Sequence, residues 1–238
     1  MKYYIVKLTT DRKIIGKVDT WQISGFNGKF ERNSGKSINE LPNLTPADFI
    51  LDIDVLNVSP KAQMTDFVSG GNYYCAAFIV SEKVKNIFER NIKGSQSLFT
   101  IYPIKLQKGD DVFDYYFVHF IQDSIKIVDY DNSKISMKEQ LWLDEYDEDS
   151  SIRISPKNSG DLISFRNSKK VMQVIVPEEI VLLDSLSDRE ILVFNCFYER
   201  AIVFSEKLIK LLKAEKVSGI EATEISWLSG ANKKSGQL

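Results

Sequence analysis

Ala77-Phe78-Ile79-Val80-Ser81-Glu82-Lys83-Val84-Lys85-Asn86-Ile87-Phe88-Glu89-Arg90-Asn91-Ile92-Lys93-Gly94 is an apolar run, then Ser-Glu-Lys, then a helical pattern closed by glycine. The same order returns from Ala201 to Gly219, as Ala-Ile-Val-Phe-Ser-Glu-Lys-Leu-Ile-Lys-Leu-Leu-Lys-Ala-Glu-Lys-Val-Ser-Gly. Each copy is physically a strand feeding a helix. Ser81 and Ser205 stand where N-caps belong, and Glu82 and Glu206 place negative charge at the positive end of the helix dipole. Val84, Ile87, Phe88 and Ile92 share one helical face, as do Leu208, Leu211 and Leu212. Gly94 and Gly219 suit left-handed C-caps. Two helices follow, over about 82–93 and 206–216, each with a stripe that must be buried in a core or laid against a partner.

Working outward from this pair, the expected fold class is α+β, with mixed or mostly antiparallel sheets and the two amphipathic helices set in two similarly built lobes. A chain of 238 residues holds a sizeable core. The expected organisation is a single domain over 1–238, with sub-lobes at about 71–135 and 160–228 and N-terminal strands and an exposed loop over 1–70. A net charge of −2 and a pI near 5.6 give no overall attraction to nucleic acid or an anionic membrane. The segment Met1-Lys2-Tyr3-Tyr4-Ile5-Val6-Lys7-Leu8 is too short and too soon charged for a signal peptide or a span, so a cytoplasmic location is expected. In that reducing compartment Cys75 and Cys196 are expected as free buried thiols.

Tyr3 to Leu8 reads as a strand with Lys13 to Val18 as its hairpin partner, and Ser24 to Pro46 as a long exposed loop. Inside that loop Asn33-Ser34-Gly35-Lys36-Ser37 imitates a phosphate loop, but position 30 is Phe and Pro42 comes too soon for the helix that such a loop opens. Phe49 to Leu56 alternates as a strand, with Asp52 and Asp54 on one face. Further strands are expected at Leu98 to Leu106, where Pro103 implies an edge or a break, and at Tyr115 to Ile121, Ile125 to Tyr130, Leu162 to Phe165, Val171 to Val176, Glu190 to Phe197 and Ile220 to Trp227. Ser136-Met137-Lys138-Glu139 has capping-box spacing, which predicts a short helix from Met137 to about Leu143. Leu228 to Leu238 reads as a polar tail.

Catalytic signatures are sparse. His119 is the only histidine and sits in the alternating run Tyr115-Tyr116-Phe117-Val118-His119-Phe120-Ile121, which makes it a hydrogen-bonded strand residue rather than a base. No zinc-ligand spacing, nucleophile elbow or dinucleotide fingerprint is present, so no catalytic, cofactor-binding or metal residue is assigned. Asp144-Glu145-Tyr146-Asp147-Glu148-Asp149 packs five acids into six residues. Such density faces water or a cationic partner. With Trp142 and Tyr146 as aromatic anchors, Trp142, Asp144, Glu145, Tyr146, Asp147, Glu148 and Asp149 are the candidate partner-binding residues. The Gly- and Lys-rich loop from Ser24 to Pro46 is the alternative surface.

Val80-Ser81-Glu82-Lys83, Tyr102-Pro103-Ile104, Tyr115-Tyr116-Phe117-Val118, Asp129-Tyr130-Asp131-Asn132-Ser133, and then Ile202-Val203-Phe204-Ser205-Glu206 through Gly219 occur in this order. Together they resemble a family of bacterial immunity proteins of polymorphic-toxin systems, earlier known only as a domain of unknown function. The likeness runs over roughly Ala77 to Trp227, with His119 where the family pattern has Asn. It implies a protein that binds and neutralises a cognate toxin without catalysis or cofactor. The alternative from another class is an enzyme or small-ligand protein with a carboxylate-lined, metal-dependent site, for which Asp52 and Asp54 are the first candidates. Oligomeric state is left open.

Overall fold

A computed structural model describes residues 2–18, 21–27, 41–49, 55–70, 76–92, 94–142, 145–170, 172–183, 189–197 and 201–229. Along the chain these form β1 (Tyr3–Leu8), α1 (Arg12–Ile15), β2 (Ile23–Asn27), β3 (Val55–Val58), β4 (Phe67–Val68), β5 (Ala77–Val80), α2 (Glu82–Asn91), α3 (Ser95–Leu98), β6 (Phe99–Lys108) and β7 (Asp111–Phe120). A 3-10 turn (Ser124–Ile127) leads to β8 (Lys134–Trp142), β9 (Glu145–Ile154), α4 (Ser159–Ser168), β10 (Gln173–Val181), β11 (Ile191–Phe194), β12 (Ala201–Ser205), α5 (Glu206–Ala214), β13 (Ile220–Ile225) and β14 (Leu228–Ser229). The class is α+β, with strands in three mostly antiparallel sheets of order β11-β12-β1-β13, β14-β10-β8-β9 and β2-β3-β6-β7-β5-β4. Two compact units divide the chain: Met1–Ile5, Asp123–Leu208 and Thr223–Leu238 form one, and Val6–Gln122 and Ile209–Ala222 the other.

In the second unit the six-stranded sheet is built on the β6–β7 hairpin, paired from Phe99↔Phe120 to Lys108↔Asp111. Alternation gives it two apolar faces. On one, Tyr115, Phe117, Ile104 and Leu106 are buried with Leu56, Val58, Ile79 and Leu41. On the other, α2 lays Val84, Ile87 and Phe88, and the rings of Phe67, Phe78, Phe88, Phe99 and Phe120 meet in edge-on or tilted pairs with centroids 5.3–6.3 Å apart. Ser81 caps α2 as the sequence requires, accepting from the Val84 amide. Pro103 pairs with Tyr116, and among the described residues β3 meets β6 at Leu106 and Gln107. Residues 209–214 of α5 belong to this same unit.

In the first unit the core gathers Tyr3, Ile125, Ile135, Ile154, Leu162, Ile175, Ile180, Phe194, Phe197, Val203 and Trp227. Phe194, Phe197 and Trp227 meet in tilted or edge-on pairs with centroids 5.4–6.1 Å apart. Cys196 is a free, buried thiol beside them, and burial pushes its pKa up; Cys75 lies outside the described residues. The Ser205 hydroxyl accepts from the Leu208 amide, so the second copy of the motif is capped like the first.

Several local expectations change. The partner of β1 is β12, through Tyr3↔Ser205, and Lys13 to Val18 begins instead with α1, whose first turn the Asp11 carboxylate caps. Ile125 to Tyr130 opens with the 3-10 turn, held by Asp123 accepting from the Ile125 amide. The helix expected from Met137 to about Leu143 is not formed over Met137 to Trp142: β8 runs through these residues between β9 and β10, so period-two pairing overrides the capping-box spacing, and Leu143 lies outside the described residues. Leu162 to Phe165 lies in α4, because Asn158 accepts from the Asp161 amide and starts a helix there. The loop from Ser24 to Pro46 is not uniformly exposed. Its beginning is in β2, Leu41 and Leu44 are buried, and residues 28–40, the phosphate-loop imitation included, lie outside the described residues.

Candidate functional site

β9 is an edge strand, and its ladder with β8 is broken where the acids lie. Ile152 pairs with Met137 and Asp147 with Glu139, so residues 148–151 stand opposite the single residue Lys138. Surplus residues on one strand of a pair bulge outward and re-aim their side chains. The bulge is pinned from within. The Asp149 amide donates to Asp147 Oδ1 at 3.0 Å, the Ser150 hydroxyl donates to the Asp147 carbonyl at 2.7 Å, and the Glu139 amide donates to Ser150 Oγ at 2.8 Å.

Glu148 pairs with Lys138, whose side chain is only 11% exposed while that of Glu148 is 74% exposed. Among the described residues this is the single ion pair made by the acidic segment. A pair so open to water contributes between nothing and about 1 kcal/mol. Asp147, Glu148 and Asp149 thus follow one another at the bulge with an ion pair shown for Glu148 alone, and stability does not explain the arrangement. Exposed apolar side chains flank it. Ile152 is on the same strand, and the carbonyl of exposed Met172 accepts from the Gln140 amide.

Of the residues singled out from sequence, Asp147, Glu148 and Asp149 come together on this bulge. Trp142, Glu145 and Tyr146 are carried by the same hairpin, with Trp142 paired to Glu145 and Gln140 to Tyr146. Asp144 and the side chains of Trp142, Glu145 and Tyr146 lie outside the described residues. Lys138 and Ser150, which organise the bulge, were not singled out. The spacing Asp147-x-x-Ser150 was a local sign of a turn, of the kind that short polar side chains make with nearby backbone.

Catalytic alternatives find little support nearby. Asp52 and Asp54 lie outside the described residues, and among those described no three His, Cys, Asp or Glu side chains gather as a metal site would require. His119 is fully buried, with Nε2 2.9 Å from the Pro42 carbonyl oxygen. An open cleft of about 500 Å³ is lined by Glu89, Ser95, Gln96, Phe99, Thr100 and Ile101, and one of about 280 Å³ lies between α2 and α5. Among the described residues that line them, each has a single carboxylate, Glu89 in one and Glu215 in the other.

The sequence model of the Imm11 immunity protein family matches residues 3–226. This chain belongs to the Imm11 family. No curated protein matches it. The family match begins far upstream of Ala77, where the visible likeness began, and takes in β1 through β4. It covers both units, so the Imm11 pattern describes the whole fold rather than the Ser-Glu helices alone. Membership places the protein among immunity proteins. Among the described residues no helix is long and apolar enough to cross a membrane.

Proposed function

We propose that this Imm11 protein neutralises a cognate bacterial toxin in the cytoplasm by binding it non-covalently. The proposed toxin-facing surface is Trp142, Asp144, Glu145, Tyr146, Asp147, Glu148 and Asp149. The observation that carries this reading is the bulge at 148–151 in a member of an immunity family, where an edge strand carries consecutive acids of which Glu148 pairs with Lys138. Toxins that attack nucleic acids or nucleotides carry basic clefts, and an exposed acidic projection both steers toward such a cleft and occupies it. No cofactor, metal, nucleic acid or membrane enters the proposal.

The test is the triple variant Asp147→Lys, Glu148→Lys, Asp149→Lys, with its fold checked by circular dichroism. The expected result is association with the toxin slowed by at least about tenfold at low ionic strength, with most of its salt dependence gone, and weakened protection of cells co-expressing the toxin. Unchanged association and full protection would mean that the bulge is only a solvated edge.

A further inference from the structure

His119 is fully buried on β7, and its two nitrogens differ in surroundings. Nε2 faces the Pro42 carbonyl at 2.9 Å and therefore carries the proton, while Nδ1 is buried and has no hydrogen-bond partner among the described residues. Across the sheet the ring is opposed by Ala77 of β5 and Thr100 of β6, neither of them charged. On the same face of β7 the next residue is Phe117, opposite Tyr102. Pro42 belongs to the segment 41–49, which buries Leu41 and Leu44 and packs Ala47 and Phe49 against the same core. That segment is fixed at two polar points among the described residues, the His119–Pro42 bond and Asn43 Oδ1 accepting from the Ala76 amide at 3.3 Å. Its charged residue, Asp48, is exposed.

We propose that His119 makes the segment 41–49 a pH-responsive strap, held while the imidazole is neutral and released as the ring takes up a second proton. A second proton on Nδ1 would put a charge in an apolar layer with no acceptor, a cost that opening to water removes. Burial lowers the proton affinity of the closed ring, and the Pro42 bond opposes this only in part. The sign follows. The closed form stays neutral below the ordinary value of about 6.5, the open form protonates there, and opening is therefore favoured as pH falls through 6.5. Between pH 7.5 and 5.5 the opening equilibrium should rise by up to about tenfold.

The experiment is hydroxyl-radical footprinting of the full chain at the two pH values. Oxidation of Leu41 and Leu44 should rise by up to about tenfold at pH 5.5 while Leu106 and Phe117 stay protected. His119→Gln keeps a donor for the Pro42 carbonyl but cannot titrate, and should show no rise. The proposal is overturned if the parent shows no rise, if the Gln variant rises equally, or if Leu106 and Phe117 rise in step, which would mean global unfolding. Should the variant not fold, the parent decides, because a single histidine gives one unambiguous imidazole signal. A closed-state pKa below 6.5 in an NMR titration supports the strap, and an ordinary value rejects it.

Discussion

The carboxylate of Asp66 and the backbone amide of Ser218, 152 residues apart in the chain, meet at 3.0 Å. The same carboxylate accepts from the Ser218 hydroxyl at 3.1 Å, the Ser81 hydroxyl at 2.8 Å and the Lys83 ammonium at 3.0 Å. In return the Asp66 amide donates to Ser218 Oγ. One side chain thus joins the N-terminus of α2 to the turn that follows α5.

Asp66→Ala should lower unfolding free energy by roughly 1.5–3 kcal/mol, because hydrogen bonds to a charged acceptor are lost and their donors left partly buried. Urea denaturation measures this. Burial pulls the Asp66 pKa up, but the bonds from Lys83, Ser218 and Ser81 outweigh it and the net shift is downward from 3.8. With a depressed folded-state pKa, the contribution is complete above the unfolded value and is lost as pH falls through the folded one. The parent should therefore lose stability more steeply than the variant below about pH 4.

Lys216, not Gly219, closes α5. Its φ is +53°, its amide donates to the Lys213 carbonyl, and the Val217 amide donates to the Leu212 carbonyl, which is the Schellman pattern with a lysine at the left-handed position. Lys216→Gly should stabilise the protein by about 1 kcal/mol, read as a higher urea midpoint.

Gly219 serves a different need, with φ +96° and a position where a Cβ would come 2.1 Å from the Phe67 carbonyl oxygen. Its neighbour Ser218 accepts from the Phe67 amide, so the two backbones cannot separate without losing that bond. Gly219→Ala should destabilise by more than about 1 kcal/mol, and a thermal melt would show the opposite sign from Lys216→Gly.

Ile87 is buried under α2, whereas Leu211 lies half-buried in the cleft between α2 and α5. Ile87→Ala should cost about 2–5 kcal/mol and Leu211→Ala clearly less, since a cavity forms only where surroundings cannot refill with water. Equal losses in paired denaturation curves would contradict the difference in burial.

The sequence by itself determined the two capped helices, because Ser81 and Ser205 act within one turn of their own chain and the apolar stripes repeat at helical spacing. It also determined the strand that feeds each helix and most of β6 and β7 as strands, though not their pairing. Local chemistry suffices where the partner of a group lies a few residues away. It did not suffice at Ser136 to Glu139, where capping-box spacing and strand alternation coexist and only β9 and β10, pairing on either side, decide for strand. Nor did it suffice at Leu162 to Phe165, a run too short for its period to distinguish helix from strand. The acids of the candidate site were legible as charge, but not as a bulge. Four residues facing one is a mismatch between two strands, and a count made between strands exists only once they pair. The Asp66–Ser218 junction and the Pro42–His119 contact are likewise beyond the sequence, since each joins groups that chain proximity leaves far apart and only the folded core brings into hydrogen-bond reach.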